Sequence, residues 1–268
     1  MTVKTLPGLL DKMWHDYITI NPLAQKISDL FTDEGEVILN DHIALRTFNH
    51  PRVTIDVLAR PFIESGYKYF GDYHFPEKKV YAKHYQHADE KMPKIFISEI
   101  RLEEFSQALQ KIVYGLVDQI PESKEFEFDF VSGGRPWKVS TQSYNELMKE
   151  SDYAAWVAAF GYRANHFTVF INALKKFSDI HYLNDFLKSK GYKLNASGGE
   201  VKGSKEVCLE QSSTLANNIE VLFEDAKLMI PACYYEFAKR YAMPDGKLYQ
   251  GFVAASADKI FESTKQGQ

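Results

Sequence analysis

Hydrophobic residues recur at helical spacing near the start of the chain and at alternate positions from Asn40 onward. The first pattern predicts helices over residues 5–32, divided at Asn21-Pro22. NDHIALRTF, which starts at Asn40, alternates like a strand. The segment after it predicts a helix that contains Pro61, which should kink or shorten it, and that ends at Gly66. Three further strands are predicted in GYKYFGDY, KKVYAKHYQHA and PKIFISEI, so the order is βαβββ.

The same order returns in the second half of the chain. ANHFTVFIN predicts a strand, LKKFSDIHYLNDFLKSK an amphipathic helix, and GYKLNAS, KEVCLEQSS and NNIEVLFED three more strands. Gly66 follows His42 by 24 residues, and Gly191 follows His166 by 25. This repeat predicts a duplicated module. Because each copy alone would leave one face of its sheet uncovered, the two copies are expected to pair.

The expected fold class is therefore α+β, with two βαβββ modules pairing around a central cavity. A single domain over residues 1–268 is expected. Its predicted parts are N-terminal helices (1–36), a first module (37–100), a helical insertion (101–160), a second module (161–226) and a C-terminal segment (227–268). Within the insertion, EFEFDF predicts a strand with one solvated face.

Composition narrows the class of protein without naming a reaction. The chain is 45% hydrophobic and 25% charged, as is usual for a soluble globular protein, and its net charge of −4 gives no reason to expect nucleic acid. No apolar run is long enough to span a bilayer, and the N-terminus does not resemble a signal peptide. Two cysteines, Cys208 and Cys233, show no metal or redox spacing, so a reducing, cytoplasmic location is predicted.

Candidate metal ligands follow from the alternation of side chains along strands. His42 and Arg46 share the polar face of the first strand, and His166 lies on the corresponding face of its counterpart. Glu220 lies on the polar face of NNIEVLFED. If helices cover the apolar faces, these polar faces converge on one cavity. Two imidazoles and a carboxylate form a facial triad with open coordination positions, which suits non-haem Fe(II) oxygen chemistry.

Alternatives exist for each ligand. A strand histidine is usually only a satisfied polar residue, and the matched positions of His42 and His166 are what favour a metal. Glu224 and Glu236 are alternative carboxylates, although CYYEFAKR suggests a helix in which Glu236 packs or forms a surface ion pair. In the first copy, the position equivalent to Glu220 falls near residues 96–98, which offer no good ligand. Three protein ligands are therefore expected rather than four.

Two further residues are candidates for contact with substrate. Arg46 lies about 13 Å beyond His42 along the strand, at about 3.3 Å per residue, which is too far to reach the metal. It is placed to bind the far carboxylate of an elongated substrate, unless it forms a structural ion pair or packs on aromatic rings. His84 is a weaker candidate for the cavity wall.

Four segments resemble, in the same order, parts of the 2-oxoadipate dioxygenase/decarboxylase family, also known as hydroxyglutarate synthase. They are NDHIALRTF, the Asn165-His166 pair with its following residues, IPACYYEFAKR and FVAASADKIFES. The resemblance covers residues 5 to 264, and the βαβββ duplication is similar to the vicinal oxygen chelate superfamily, which includes glyoxalases.

The resemblance implies metal ligands at His42, His166 and Glu220 and a substrate-binding arginine at Arg46. It also implies a late substrate contact at Ala255 and Ser256, where Ala255 stands in place of the relatives' valine. The implied reaction is oxidative decarboxylation of 2-oxoadipate by O2 at Fe(II), giving 2-hydroxyglutarate and CO2, in lysine breakdown. Zn2+ or Ni2+ readily replaces Fe2+ at such ligands in a purified sample.

Two rival functions remain open at this point. A glyoxalase-type lyase or isomerase would use Zn2+ or Ni2+ as a Lewis acid, without oxygen. A metal-free protein of the same fold would only bind a small acid. A hydrolase is not indicated, because the chain has no GxSxG or Cys/His arrangement. The sequence does not predict an oligomeric state.

Overall fold

The computed structural model describes residues 3–254, 256 and 259. Two helices open the chain, α1 (Leu6–Ile20) and α2 (Pro22–Asp33). Thr5 caps α1, with its hydroxyl oxygen accepting from the backbone N–H of Gly8. Pro22 begins α2, where its missing N–H costs no helical hydrogen bond. The predicted pair of N-terminal helices is thus present.

The first copy forms the expected βαβββ unit. Its elements are β1 (Asn40–Phe48), α3 (Ile55–Glu64), β2 (Lys68–Phe75), β3 (Val80–Gln86) and β4 (Lys94–Ile100). Pro61 lies in the last turns of α3, which ends three residues later. β1 runs parallel to β4, with His42 in register with Lys94, and β3 joins β4 to β2 in antiparallel pairs.

The insertion contains three helices, α4 (Gln107–Val117), α5 (Thr141–Glu150) and α6 (Asp152–Phe160). The predicted EFEFDF strand is wrong, because this segment forms short 3-10 turns instead. Glu125 turns inward and accepts from Arg52 at 3.0 and 2.9 Å. That ion pair fixes the segment against the first copy and leaves no extended backbone to pair.

The second copy differs from its prediction in its last strand. Its elements are β5 (Ala164–Phe170), α7 (Ile180–Ser189), β6 (Lys202–Ser204), β7 (Leu209–Ser213) and β10 (Glu236–Arg240). NNIEVLFED supplies β8 (Asn218–Leu222), which among the described residues pairs only with β9 (Lys227–Pro231), in a separate hairpin. GYKLNAS contributes a single bridge at Leu194. The fourth strand of this copy thus lies beyond the predicted boundary at residue 226.

The two copies join in one eight-stranded sheet of order β2-β3-β4-β1-β5-β10-β7-β6. β1 and β5 run antiparallel at its centre. The odd-numbered apolar residues of β1 and β5, such as Ile43 and Phe167, are fully buried, and the ring of Phe167 packs 5.1 Å from that of Trp14 in α1. This architecture confirms the predicted α+β fold of two βαβββ modules. The opposite face carries the polar residues considered next.

Candidate metal centre

Three ionisable side chains meet on the polar face of the central strands. Glu236 places one carboxylate oxygen 3.5 Å from Nε2 of His42 and the other 3.3 Å from Nε2 of His166. The two imidazole rings are nearly perpendicular, with centroids 5.5 Å apart. All three side chains are buried. A nitrogen or oxygen atom from each lies within 4.8 Å of the others, so the group could hold one metal ion.

The sheet register brings these residues together. Thr168 in β5 is in register with His42 in β1 and also with Glu236 in β10. His166 precedes Thr168 by two residues and therefore points to the same face. The three side chains thus come from three adjacent strands, which fix their spacing more firmly than loops would.

Both histidines are oriented by the residue just before them. Nδ1 of His42 lies 2.8 Å from a carboxylate oxygen of Asp41, and Nδ1 of His166 lies 3.0 Å from the side-chain oxygen of Asn165. Burial alone would raise the pKa of Asp41, but the charge and hydrogen bonds of Arg240 hold it well below its usual range. An ionised carboxylate only accepts, so Nδ1 of His42 donates and Nε2 keeps its lone pair.

Burial shifts the protonation of all three groups toward the neutral forms. It raises the pKa of Glu236 to about 8 and lowers the pKa of His42 and, more strongly, of His166. Gln211 donates to Oε1 of Glu236 at 2.5 Å. Oε2 is buried and receives no hydrogen bond from the described residues. Lone pairs of two imidazoles and an unsatisfied carboxyl oxygen therefore converge, and a divalent cation that displaces the proton of Glu236 would fit this arrangement.

The structure corrects the predicted carboxylate ligand. Glu220 lies on the β8–β9 hairpin, where its side chain is 57% exposed and pairs with Lys227 at 2.7 Å. Glu224 is exposed near the same hairpin. The interpretation of Glu236 as helical was wrong, since CYYEFAKR runs into strand β10. Tyr235 and Phe237 form the apolar face of that strand, a period-two signal that was available in the sequence.

Arg46 lies on the same face of β1 as His42, as predicted, and is buried. Its guanidinium carbon lies 5.0 Å from the ring centre of Tyr153 and 5.2 Å from that of Trp156. Both rings come from α6 in the insertion. The insertion therefore supplies two of the aromatic rings that surround the guanidinium of Arg46.

Of the three other residues predicted to contact substrate, His84 and Ser256 are among the described residues. His84 is buried next to Phe252, with Nδ1 2.9 Å from the hydroxyl of Tyr73 and Nε2 3.0 Å from the amide nitrogen of Gln86. Burial lowers its pKa to about 3. Both ring nitrogens are thus engaged with protein groups. Ser256 is buried near Gly203 on strand β6, and Ala255 lies outside the described residues.

Several residues of the site have no simple sequence signal. Thr168 places its hydroxyl 3.1 Å from Nε2 of His42, and the ring of Tyr234 stacks on His166 at 4.6 Å. Asp41 contacts His42 and Gln211 contacts Glu236, but no sequence motif marks either Asp41 or Gln211. Phe96 is also informative, because it pairs with Ala44 as Glu236 pairs with Thr168. Phe96 therefore occupies, in the first copy, the position of the carboxylate in the second.

Comparison with known proteins shows the family of this chain. A profile of the 2-oxoadipate dioxygenase/decarboxylase family matches residues 9–127 and 134–248. This chain belongs to that family. A 2-oxoadipate dioxygenase/decarboxylase from Arabidopsis thaliana, described as chloroplastic, is 32% identical over 97% of this chain and 78% of its own length.

Two solved structures superpose closely on this chain. Hydroxyglutarate synthase from Oryza sativa, in complex with 2-oxoadipate, has a TM-score of 0.91 and 32% identity, over 96% of this chain and 91% of that one. A protein from Shewanella frigidimarina described as a candidate hydrolase has the same TM-score at 51% identity, over 95% and 100% of the two chains.

A glyoxalase superfamily protein from Ralstonia eutropha shares the fold, with a TM-score of 0.75 at 21% identity over 92% of this chain and 85% of that one. This likeness agrees with the glyoxalase-like fold predicted from the duplication. None of the helices in the described part of the chain combines the length and apolar character needed to cross a lipid bilayer.

Proposed function

We propose that this protein is an Fe(II)-dependent 2-oxoadipate dioxygenase/decarboxylase, which converts 2-oxoadipate and O2 to 2-hydroxyglutarate and CO2. The observation that carries the proposal is the buried cluster of His42, His166 and Glu236 in a chain of this family. The names of its relatives, and the 2-oxoadipate bound to the rice protein, support the substrate class.

The choice of Fe(II) rests on the donor set. Two neutral imidazoles and one carboxylate leave open positions on one side of a metal, the arrangement used by non-haem Fe(II) oxygenases. When bound, iron would supply O2 activation and oxidative decarboxylation of the 2-oxo acid. Zn2+ and Ni2+ bind the same donors and are expected to compete during purification.

The residues around the cluster have separable roles in this proposal. Asp41 and Asn165 hold the imidazoles with Nε2 directed inward, and Gln211 fixes one oxygen of Glu236. Together they hold the donor atoms in place before metal or substrate arrives.

Arg46 is proposed to bind the distal carboxylate of the substrate. A guanidinium offers paired donors that match a carboxylate, and the flanking rings of Tyr153 and Trp156 limit its freedom. The distance between the proposed metal site and Arg46 would then determine which length of diacid the protein binds. A contact of substrate with Ala255 and Ser256 stays a prediction from the family resemblance.

The test is oxygen consumption by the iron-reconstituted protein with 2-oxoadipate. We expect CO2 and 2-hydroxyglutarate to form in equal amounts to the O2 consumed, and His166→Ala to abolish uptake. His181→Ala is the matched control, because His181 is exposed on α7. If the reconstituted parent binds metal but consumes no O2, the dioxygenase proposal fails and a metal-dependent lyase or isomerase becomes the better assignment.

We also propose that the protein acts in the cytoplasm. Both cysteines are free, Cys233 in the core and Cys208 partly exposed, so the fold does not depend on an oxidising compartment. Fractionation of the source cells followed by immunodetection would test this location, and recovery in a membrane-bounded organelle would contradict it.

A further inference from the structure

Arg240 is connected to His42, one of the three residues of the proposed metal site, through Asp41. It follows Glu236 by four residues on β10, and its side chain is almost fully buried. Its Nε donates to Oδ2 of Asp41 at 2.6 Å, and its Nη2 donates to Oδ1 of Asp41 at 2.8 Å. Asp41 in turn accepts from Nδ1 of His42 at 2.8 Å. A continuous chain of charge-assisted hydrogen bonds thus runs from Arg240 to a proposed metal ligand.

The remaining donor group of Arg240 binds a different part of the protein. Nη1 of Arg240 donates to the backbone oxygens of Tyr249 and Gly251, at 3.0 and 2.8 Å. These residues belong to the segment 249–252, here called the C-terminal strap. The strap crosses the polar face of the sheet, and the ring of Phe252 lies 4.8 Å from that of His42, nearly perpendicular to it.

The strap is also held from the first copy. The side-chain amide of Gln86 donates to the backbone oxygen of Gln250 at 3.2 Å, and the backbone N–H of Phe252 donates to the hydroxyl of Tyr73 at 3.1 Å. His84 contacts both Gln86 and Tyr73. The strap therefore bridges the two copies, and Arg240 donates to two of its backbone oxygens.

We infer that Arg240 is a positioning residue. Through Asp41, it couples the orientation of His42 to closure of the C-terminal strap over the group formed by His42, His166 and Glu236. This inference rests on the proposed metal site. One guanidinium satisfies the carboxylate that orients His42 and the carbonyls that hold the strap, so neither arrangement is complete without it. By linkage, metal binding should then stabilise the strap, and loss of Arg240 should weaken metal binding.

The first test measures Co2+ affinity and the visible spectrum of the Co2+ complex, without turnover. Arg240→Gln is expected to weaken binding about 10-fold, the lower end of the range for groups hydrogen-bonded directly to metal ligands, because it acts on His42 through Asp41, and to alter the spectrum. Arg101→Gln is the matched control, since Arg101 pairs with Glu103 and Glu104 on the surface. Circular dichroism of the metal-free proteins would verify folding.

If Arg240→Gln does not fold, Arg240→Lys replaces it. A lysine cannot make the bidentate contact to Asp41 and also reach both carbonyls, so affinity should again fall. Affinity and spectrum unchanged in a folded Arg240 variant would overturn the inference and leave Arg240 as a support for the strap alone.

The second test measures hydrogen exchange of peptides spanning residues 247–254, with Zn2+ and with EDTA. Zn2+ should slow exchange in the parent, and Asp41→Asn should remove most of that effect. The asparagine can still accept from His42 but no longer forms an ion pair with Arg240. Equal slowing by Zn2+ in both proteins would contradict coupling through Asp41.

Neither test requires O2 or 2-oxoadipate, so its outcome is separable from that of the proposed reaction. A parent that binds Co2+ and loses affinity on substitution of Arg240 supports the coupling even if turnover is never observed. A parent that binds no Co2+ overturns the metal site and, with it, the coupling.

Discussion

Replacing Glu236 by glutamine should change how the stability of the metal-free protein depends on pH. In the unfolded chain this carboxyl ionises near its ordinary pKa of 4.5, whereas burial raises its pKa in the folded protein to about 8. The folded state therefore keeps a proton that the unfolded state loses, and stability falls as pH rises between these values. At about 1.4 kcal/mol per pH unit, the loss is at most about 5 kcal/mol, and about 3 kcal/mol by pH 7.

The assay is urea unfolding in EDTA from pH 5 to 9. Glu236→Gln has no group to titrate, so its stability relative to the parent should increase across this range. Glu220→Gln is the control, and it should follow the parent within about 0.5 kcal/mol because Glu220 forms only a surface ion pair. Added Zn2+ should stabilise the parent and the control but not Glu236→Gln. Equal pH dependence in the parent and Glu236→Gln would refute the argument from burial, and full Zn2+ stabilisation of Glu236→Gln would refute its role as a ligand.

Three further predictions address substrate binding and the fold. Arg46→Lys should reduce kcat/KM for 2-oxoadipate about 10–100-fold. The kcat/KM for 2-oxohexanoate, which lacks the distal carboxylate, should stay nearly unchanged. Steady-state kinetics with both acids would test this, and equal losses for the two acids would contradict it. Phe167→Ala should lower the free energy of unfolding by about 3–5 kcal/mol in urea titrations, because the ring is buried under α1; a loss below 1 kcal/mol would contradict this packing. Glu36→Gln should cost about 2 kcal/mol at pH 7, since the Glu36 carboxylate accepts from the backbone N–H groups of Lys175 and Lys176. These bonds hold the pKa of Glu36 below 4.5 despite burial, so parent and variant should converge in unfolding experiments as pH falls below that value.

The duplication made much of the fold predictable. His42 and His166 follow the same alternation in two strands and precede similarly spaced helices, so their common face could be inferred without a structure. The pairing of β1 with β5 then brings them together. Arg46 was also correctly assigned to that face, because its position depends only on the period of a strand.

The carboxylate could not be assigned in this way, because two segments compete for the last strand of the second copy. NNIEVLFED has the stronger local strand pattern and does form β8, but it pairs with β9 alone. CYYEFAKR joins the main sheet through contacts with β5 and β7 that are distant in the sequence. Local periodicity predicts that a segment is extended, and only tertiary pairing decides which sheet it joins.

Phe96 gives the duplicated chain a functional asymmetry. With a carboxylate at that position, an internally symmetric protein would present a fourth donor and could close the coordination sphere, as structural metal sites do. The aromatic ring packs instead against Phe252, with centroids 4.9 Å apart. The two copies thus share the pairing of these strands but differ in the residue at this position. In the proposed metal site, the second copy would supply His166 and Glu236 and the first copy His42 alone, and Phe96 would leave a coordination position open to an incoming molecule.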